Sequence, residues 1–471
     1  MRRIYKNATQ VNVWLGEEAD DSNLAMDLIN KIGSPPMRGP GEKPIVYPTI
    51  SQAEVQRNWK ALHAIFQRPW WERSWIRQEV ALATNIAVYC GKATCRLELV
   101  NALVQAIHYI ESLGSEEPFA TKKGQEQQMM LPLYFHAEML CSLWDEAYGG
   151  YMFLELPKLL LHTKACKATD QRDKVFSILG LVDPEEYEFR ADYHMPLPDV
   201  MVKAAKSAIH REDGLSILGA CQNPTKKHGL PSWVPNLLDP WTSRPFQSKA
   251  NGIYVTHTSA DIKFDGNALI AKGFFYGKVT SLCPSSVNLN ATASDLESLY
   301  ETWLAFAASA RKQDLIDVYE DEVYVDNDND KDARWLEFLS VMEIEAGKDR
   351  EEPPPSTLNL KLTRSYLLPE GSEPAQHPRR KIHSALRKVG GGRRLGTSDG
   401  KIGLFPSEAV VGDLVALLHG APYASVLRKD EKEEKAFVLV GEALIPLYMY
   451  GAAEGYAEDD GIDINGSIRI V

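Results

Sequence analysis

The chain has 471 residues, 52 of them basic and 64 acidic, and a formal net charge of −12. That balance gives no electrostatic pull toward phosphate backbones and argues against nucleic acid as a partner. Hydrophobic content of 44% and charged content of 25% describe an ordinary globular chain of about two to four domains. No apolar run approaches a membrane span, and MRRIYKNATQ has no apolar segment after its arginines that would make a secretory leader. Six cysteines without paired spacing predict reduced thiols in a cytoplasmic protein. Cys90 and Cys95 flank a tight Gly91-Lys92 turn, but no histidine pattern accompanies them, so neither metal nor cofactor is expected.

In chain order, Ile4 to Ala8 reads as the end of a helix. Val11 to Leu15 is a short apolar strand stopped by Gly16. Asp21 or Ser22 is placed to cap a helix whose inward face is Leu24, Ala25, Leu28, Ile29 and Ile32. Residues 33–48, rich in Pro and Gly, read as a loop. Val55 to Phe66 is helical, with Trp59, Leu62, Ile65 and Phe66 facing in.

A second helix is predicted from Arg68-Pro69 to near Asn85, because proline suits the first turn. Trp71, Trp75, Ile76, Val80 and Ala83 recur along it at three- and four-residue steps, and Arg73, Arg77, Gln78 and Glu79 are its polar members. Trp75 and Glu79, four apart, share a face. Residue types alone describe a core helix with a solvated charged side. Ile86 to Cys90 reads as a strand, and Leu99 to Ile110 as an amphipathic helix. Alternating helix and strand argue for an α/β layer with a parallel sheet over residues 1–115.

Residues 112–128 read as a linker. Helices are predicted over residues 129–144, 151–161, 172–181 and from Pro198 to Ile209, giving a helical region over 129–240. Asp170, Arg172 and Asp173 look like a cap and a surface ion pair. After Trp241 the texture turns to β. Asp265-Gly266 and Asp399-Gly400 are hairpin signals. Phe274 to Leu282, Asp413 to Leu418, Ala424 to Arg428 and Phe437 to Ala443 are apolar runs between turn residues. A β-rich domain over 245–471 is expected, a small barrel or sandwich built from both the 250–283 and the 390–445 stretches. Within it, 285–385 would be an insertion holding a helix from Asp295 to Ala308, an acidic run over 317–331 and a Pro-rich stretch over 351–378. Gly390-Gly391-Gly392-Arg393-Arg394 lacks the Lys-Ser/Thr partner of a phosphate loop and reads as a turn.

RPWWERSWIRQEVALA (68–83) resembles the signature helix of the fungal heterokaryon-incompatibility (HET) domain family. Three further stretches resemble its other blocks in the expected order: MRRIYKNATQVNVWLG (1–16), TDQRDKVFSILGL (169–181) and LPSWVP (230–235). GLFPSEAVVGDLVALLHGAPYASVLR (403–428), followed by FVLVGEA (437–443), resembles a C-terminal region common in such proteins. The family's earlier strand, its Ser-Tyr-x-Trp-Gly-like loop and its Cys-Ile strand have no counterpart here. The expectation is a HET domain without its N-terminal part, either through a late gene start or natural truncation, which leaves Val11 to Leu15 at a sheet edge.

The resemblance implies two functions. One is self/non-self recognition and programmed cell-death signalling, with other incompatibility or signalling proteins, or copies of the chain itself, as partners. The other follows from the likeness of HET domains to Toll/interleukin-receptor (TIR) domains, some of which cleave NAD and carry a Trp-x-x-x-Glu helix motif. Here that motif is Trp75 to Glu79. It implies Glu79 as the catalytic carboxylate, Trp75 as packing support, and Arg73 or Arg77 as phosphate contacts, with NAD as substrate.

Overall fold

The computed structural model describes residues 2–33, 51–112, 135–148, 153–187, 189–210, 214–243, 245–246, 259–286, 293–310, 391–445, 448 and 452–471. The loop read at 34–48, most of the linker, the first residues of the 129–144 helix, the acidic run and the Pro-rich stretch lie outside them. The described residues before Asp192 form one compact unit, and those from Asp192 onward form another.

The first unit is built on a short sheet. Helix α1 (Arg2–Lys6) leads into β1 (Val11–Trp14), which pairs in parallel with β2 (Ile86–Cys90). Strand β3 (Ala93–Arg96) returns antiparallel to β2. The order β1-β2-β3 puts β1 at the end of this sheet. The four-residue β3 is too short to show a period in the sequence. In β1, Val11 and Val13 are buried while Asn12 and Trp14 face outward, as the two-residue repeat of a half-buried strand requires.

Helices cover the sheet. Helix α2 (Ser22–Gly33) buries Ala25, Met26, Leu28, Ile29 and Ile32. A Cβ on Gly33 would meet the Leu99 carbonyl oxygen at 2.4 Å, so only glycine lets α2 approach α5 (Leu97–Ser112) this closely. Helix α3 (Gln52–Phe66) opens with a reciprocal cap, in which the Ser51 hydroxyl accepts from the Glu54 N–H and the Glu54 carboxylate accepts from the Ser51 N–H.

The single helix expected over 68–85 is not formed. Pro69–Glu72 makes a 3-10 turn, Arg73 is extended (φ −73°, ψ 137°), and the α-helix α4 runs only over Ile76–Ala81. The break has a tertiary cause. Arg73 bridges Lys167, the Ser74 N–H donates to the Lys167 carbonyl at 3.0 Å, and the Lys167 N–H donates to the Glu72 carbonyl at 2.6 Å. Backbone groups that would have continued the helix are paired with a segment 94 residues further on.

Helices α6 (Phe135–Tyr148), α7 (Leu156–Lys164) and α8 (Asp173–Phe176) complete the unit. The predicted helix over 172–181 is thus cut to one turn. Asp170 does accept from the Arg172 N–H at 3.0 Å, and it forms a two-pronged ion pair with the Arg172 guanidinium at 3.0 and 2.7 Å.

The second unit starts with α9 (Leu197–Ile209), which buries Val200, Met201, Ala204, Ala205, Ala208 and Ile209. Its body is an 8-stranded sheet. Strand β4 (Ile262–Asp265) turns at Gly266-Asn267 into the 19-residue β5 (Ala268–Ser286). Strands β6 (Arg393–Ser398) and β7 (Lys401–Pro406) form a hairpin whose Asp399 and Gly400 both have positive φ (44° and 79°), the geometry that Asp-Gly favours. Strands β8 (Leu414–Leu418), β9 (Ala424–Lys429) and β10 (Phe437–Ala443) follow as a meander.

β5 pairs with β8 and then, further along, with β6, so residues 268–286 and 393–443 share one sheet. Leu404 and Leu444 exchange backbone bonds at 2.8 and 3.0 Å, which closes β5-β6-β7-β10-β9-β8 into a barrel. Helix α10 (Ala293–Ala310) buries Trp303, whose indole N–H donates to the Ser285 carbonyl at 3.2 Å. After helix α11 (Ala452–Asp459), the last strand, β11 (Gly466–Ile470), lies along the start of β5. The LPSWVP segment belongs to this unit. Its buried Trp233 donates to the Asn267 carbonyl at 2.8 Å, and the Ser232 hydroxyl accepts from the Leu439 N–H at 2.9 Å. No described helix is long and apolar enough to cross a membrane.

Candidate functional site

Two distant stretches of the first unit, α1 and the turn over 177–181, converge on α4. From α1, Tyr5 places its hydroxyl against the Glu79 carboxylate. Also from α1, Arg2 donates to the Gly180 carbonyl and stacks on Phe153, its guanidinium carbon 4.4 Å from the ring centre. From α4, the buried Gln78 donates through Nε2 to the Ser177 carbonyl at 3.2 Å. A Cβ on Gly180 would lie 2.2 Å from Gln78 Nε2, so a side chain at residue 180 would displace the Gln78 amide from its place against the 177–181 turn.

Glu79 is half-buried on α4. Burial raises its carboxyl above the ordinary glutamate range; the Arg73 charge and the Tyr5 hydrogen bond pull the other way. The Tyr5 phenol is itself raised, by burial first and by the neighbouring Glu79 charge second. Trp75 is half-buried at the N-terminal boundary of α4, where its carbonyl accepts from the Glu79 N–H at 3.4 Å. Arg73 is exposed. A carboxylate and a phenol therefore meet here, with the exposed Arg73 guanidinium within electrostatic reach, a set able to steady a developing positive charge and to attract an anion.

Arg77 is placed otherwise. Its side chain is fully buried, and Nη1 donates to the carbonyls of Trp71 at 3.0 Å and Arg73 at 2.9 Å. The solvated polar side expected for this stretch is thus half wrong, because Arg77 and Gln78 point into the unit and only Arg73 and Glu79 reach its surface. Arg77 fastens the end of the 3-10 turn to the start of α4, and in this position it is not available to a phosphate outside. Trp71, 1% exposed, anchors the same turn by donating to the Ile65 carbonyl at 2.9 Å.

Tyr5 was not legible as a partner of Glu79. The contact spans 74 positions, and no local pattern marks a tyrosine on a five-residue helix as the neighbour of a particular carboxylate.

This constellation lies within a stretch of known type. Residues 1–79 match the family model described as heterokaryon incompatibility protein (HET). Among curated proteins it is similar to heterokaryon incompatibility protein 6, OR allele, of Neurospora crassa, with 26% identity over 290 residues. That match covers 52% of this chain and 42% of the relative's length. No solved structure matches the chain.

Proposed function

We propose that this chain acts in heterokaryon incompatibility, as a cytoplasmic protein of self/non-self recognition whose engagement leads to cell death. The observation that carries this reading is the HET match over residues 1–79 together with the relative named for incompatibility. Its partners on this reading are other incompatibility or signalling proteins, or further copies of itself. The test is a forced fusion between strains expressing the chain and strains lacking it. Death of the fused compartments is the expected result, and uniformly healthy fusions across a panel of partner strains would overturn the proposal.

The surroundings of Glu79 support a second reading, a TIR-like NAD glycohydrolase. In that reaction the bond between the ribose anomeric carbon and the nicotinamide nitrogen breaks, nicotinamide leaves with the bonding electrons, and water adds to the cationic ribose. The Glu79 carboxylate would face that cation, as carboxylates do in glycoside cleavage. Trp75 would wall the ribose, and the exposed Arg73 would take a phosphate. Arg77, held inside by Trp71 and Arg73 carbonyls, has no part in this arrangement. Purified protein should release nicotinamide from NAD, and Glu79→Ala should abolish the release. Equal NAD levels and equal toxicity for both forms would remove Glu79 as the catalytic group and leave the recognition reading standing.

A further inference from the structure

The interior behind α4 holds more positive charge than its described neighbours neutralise. Arg77 is fully buried, and while Nη1 reaches two carbonyls, Nε and Nη2 are buried with no hydrogen-bond partner. Lys174, 4% exposed, donates to the carbonyls of Thr163 at 3.4 Å, Lys164 at 2.8 Å and Cys166 at 2.6 Å. Every acceptor of these two cations is thus a backbone carbonyl. Carbonyls satisfy N–H geometry but carry no net charge, and a buried cation without a counter-charge is strongly disfavoured.

The groups lie within electrostatic reach of one another. Burial lowers the Lys174 ammonium, the Cys166 neighbour opposes, and the Arg77 charge lowers it further. The Cys166 thiol is raised by burial, with Arg77 and Lys174 opposing. Burial and then Arg77 hold His136 down at about 4, so its ring is neutral near pH 7, and its Nδ1 is buried without a partner. The carboxylate that acts on both His136 and Cys166 is Glu72, which is already in an ion pair with Lys167 at 2.5 Å.

We propose that Arg77, through Nε and Nη2, holds a small halide-class anion inside the first unit, with Lys174 supplying the second charge and the His136 Nδ1–H a further donor. A halide needs no fixed acceptor geometry. A tetrahedral oxyanion would bring several oxygens that these few donors leave unmatched in a dry interior. The anion would neutralise the junction at which residues 71–77 meet residues 163–174, and so would stabilise the platform that presents Glu79.

Bromide and chloride are the probes. Crystals of the full chain grown in sodium bromide should show an anomalous bromine peak within hydrogen-bonding distance of Arg77 Nη2. In solution, the thermal midpoint should rise saturably with sodium chloride relative to sodium gluconate of equal ionic strength, as for any ligand that binds only the folded state. Arg77→Met should lose that chloride dependence. Should that variant not fold, Lys174→Met keeps the guanidinium and should weaken the apparent chloride affinity by about tenfold or more. A bromide-free site occupied by water, or midpoints that do not distinguish the two salts, would overturn the proposal.

Discussion

Among the described residues, each unit buries one arginine completely, and the two are accommodated in opposite ways. In the barrel unit, Arg393 meets a carboxylate. Its Nη2 lies 2.8 Å from Glu442 Oε1, its Nη1 donates to the Glu442 carbonyl at 2.8 Å, and its guanidinium carbon sits 3.7 Å from the Phe246 ring centre. Glu442 Oε1 also accepts from the Phe246 N–H at 2.6 Å. In the first unit, Arg77 donates only to the carbonyls of its own turn. The first arrangement is a buried ion pair inside a barrel. The second is a staple that leaves charge to be balanced by something else.

The comparison can be broken most forcefully at the ion pair. Arg393→Met or Glu442→Ala strands a buried charge and should cost about 3–5 kcal/mol in denaturant unfolding. The double variant Arg393→Met with Glu442→Leu should recover most of that loss, since both charges then go together. A double variant as unstable as either single one would show that the pair is needed for the Phe246 contact and not merely compatible with it.

Arg77→Met should cost less, about 1–3 kcal/mol, because no carboxylate is stranded and only carbonyls lose their donor. The same unfolding titration, read on a tryptophan signal from the first unit, measures it. A loss equal to that of Arg393→Met would mean that removing Arg77 strands a fixed protein charge, contrary to a guanidinium held by carbonyls and an exchangeable anion. Ser51→Ala removes one arm of the reciprocal cap on α3 and should cost about 1 kcal/mol, with Glu54→Gln a milder control by the same measurement.

The smallest effect concerns pH. Burial lifts the Glu79 carboxyl above the ordinary value of 4.5. Between that value and the lifted one, the folded chain binds more protons than the unfolded chain. Stability from this group is therefore greatest below 4.5 and declines as pH climbs through the window. Glu79→Gln should flatten the decline, and midpoints measured from pH 4 to pH 8 in both forms check it. Parallel curves would place the titration elsewhere. If the carboxylate is also the catalytic group, nicotinamide release by the unsubstituted chain should fall as pH drops through the same window, because the protonated acid cannot face a cation.

Much of the barrel was legible because its information is local. Asp399-Gly400 carries its turn geometry in the dipeptide itself, while at Asp265-Gly266 the hairpin was legible but its turn falls one residue later, at Gly266-Asn267; the apolar runs at 413–418, 424–428 and 437–443 announce strands by length and composition. The apolar faces of α2, α3 and α9 were equally readable, since the 3.6-residue repeat needs no distant partner. The HET resemblance over residues 1–79 could be read in the sequence for a similar reason, as its blocks are short contiguous patterns.

What only the tertiary structure decided lies where the chain meets itself far away. Residues 68–85 have a helical pattern, yet Arg73 leaves the helix because Glu72, Arg73 and Ser74 pair with Lys167. The polar side chains of that stretch looked alike in the sequence, but the carbonyls of Trp71, Arg73 and Ser177 draw Arg77 and Gln78 inside, while Glu79 stays at the surface beside Tyr5. Periodicity settles which residues are apolar and at what spacing. It does not carry the position of a backbone group a hundred residues away, and a buried polar side chain goes where such a group needs a partner.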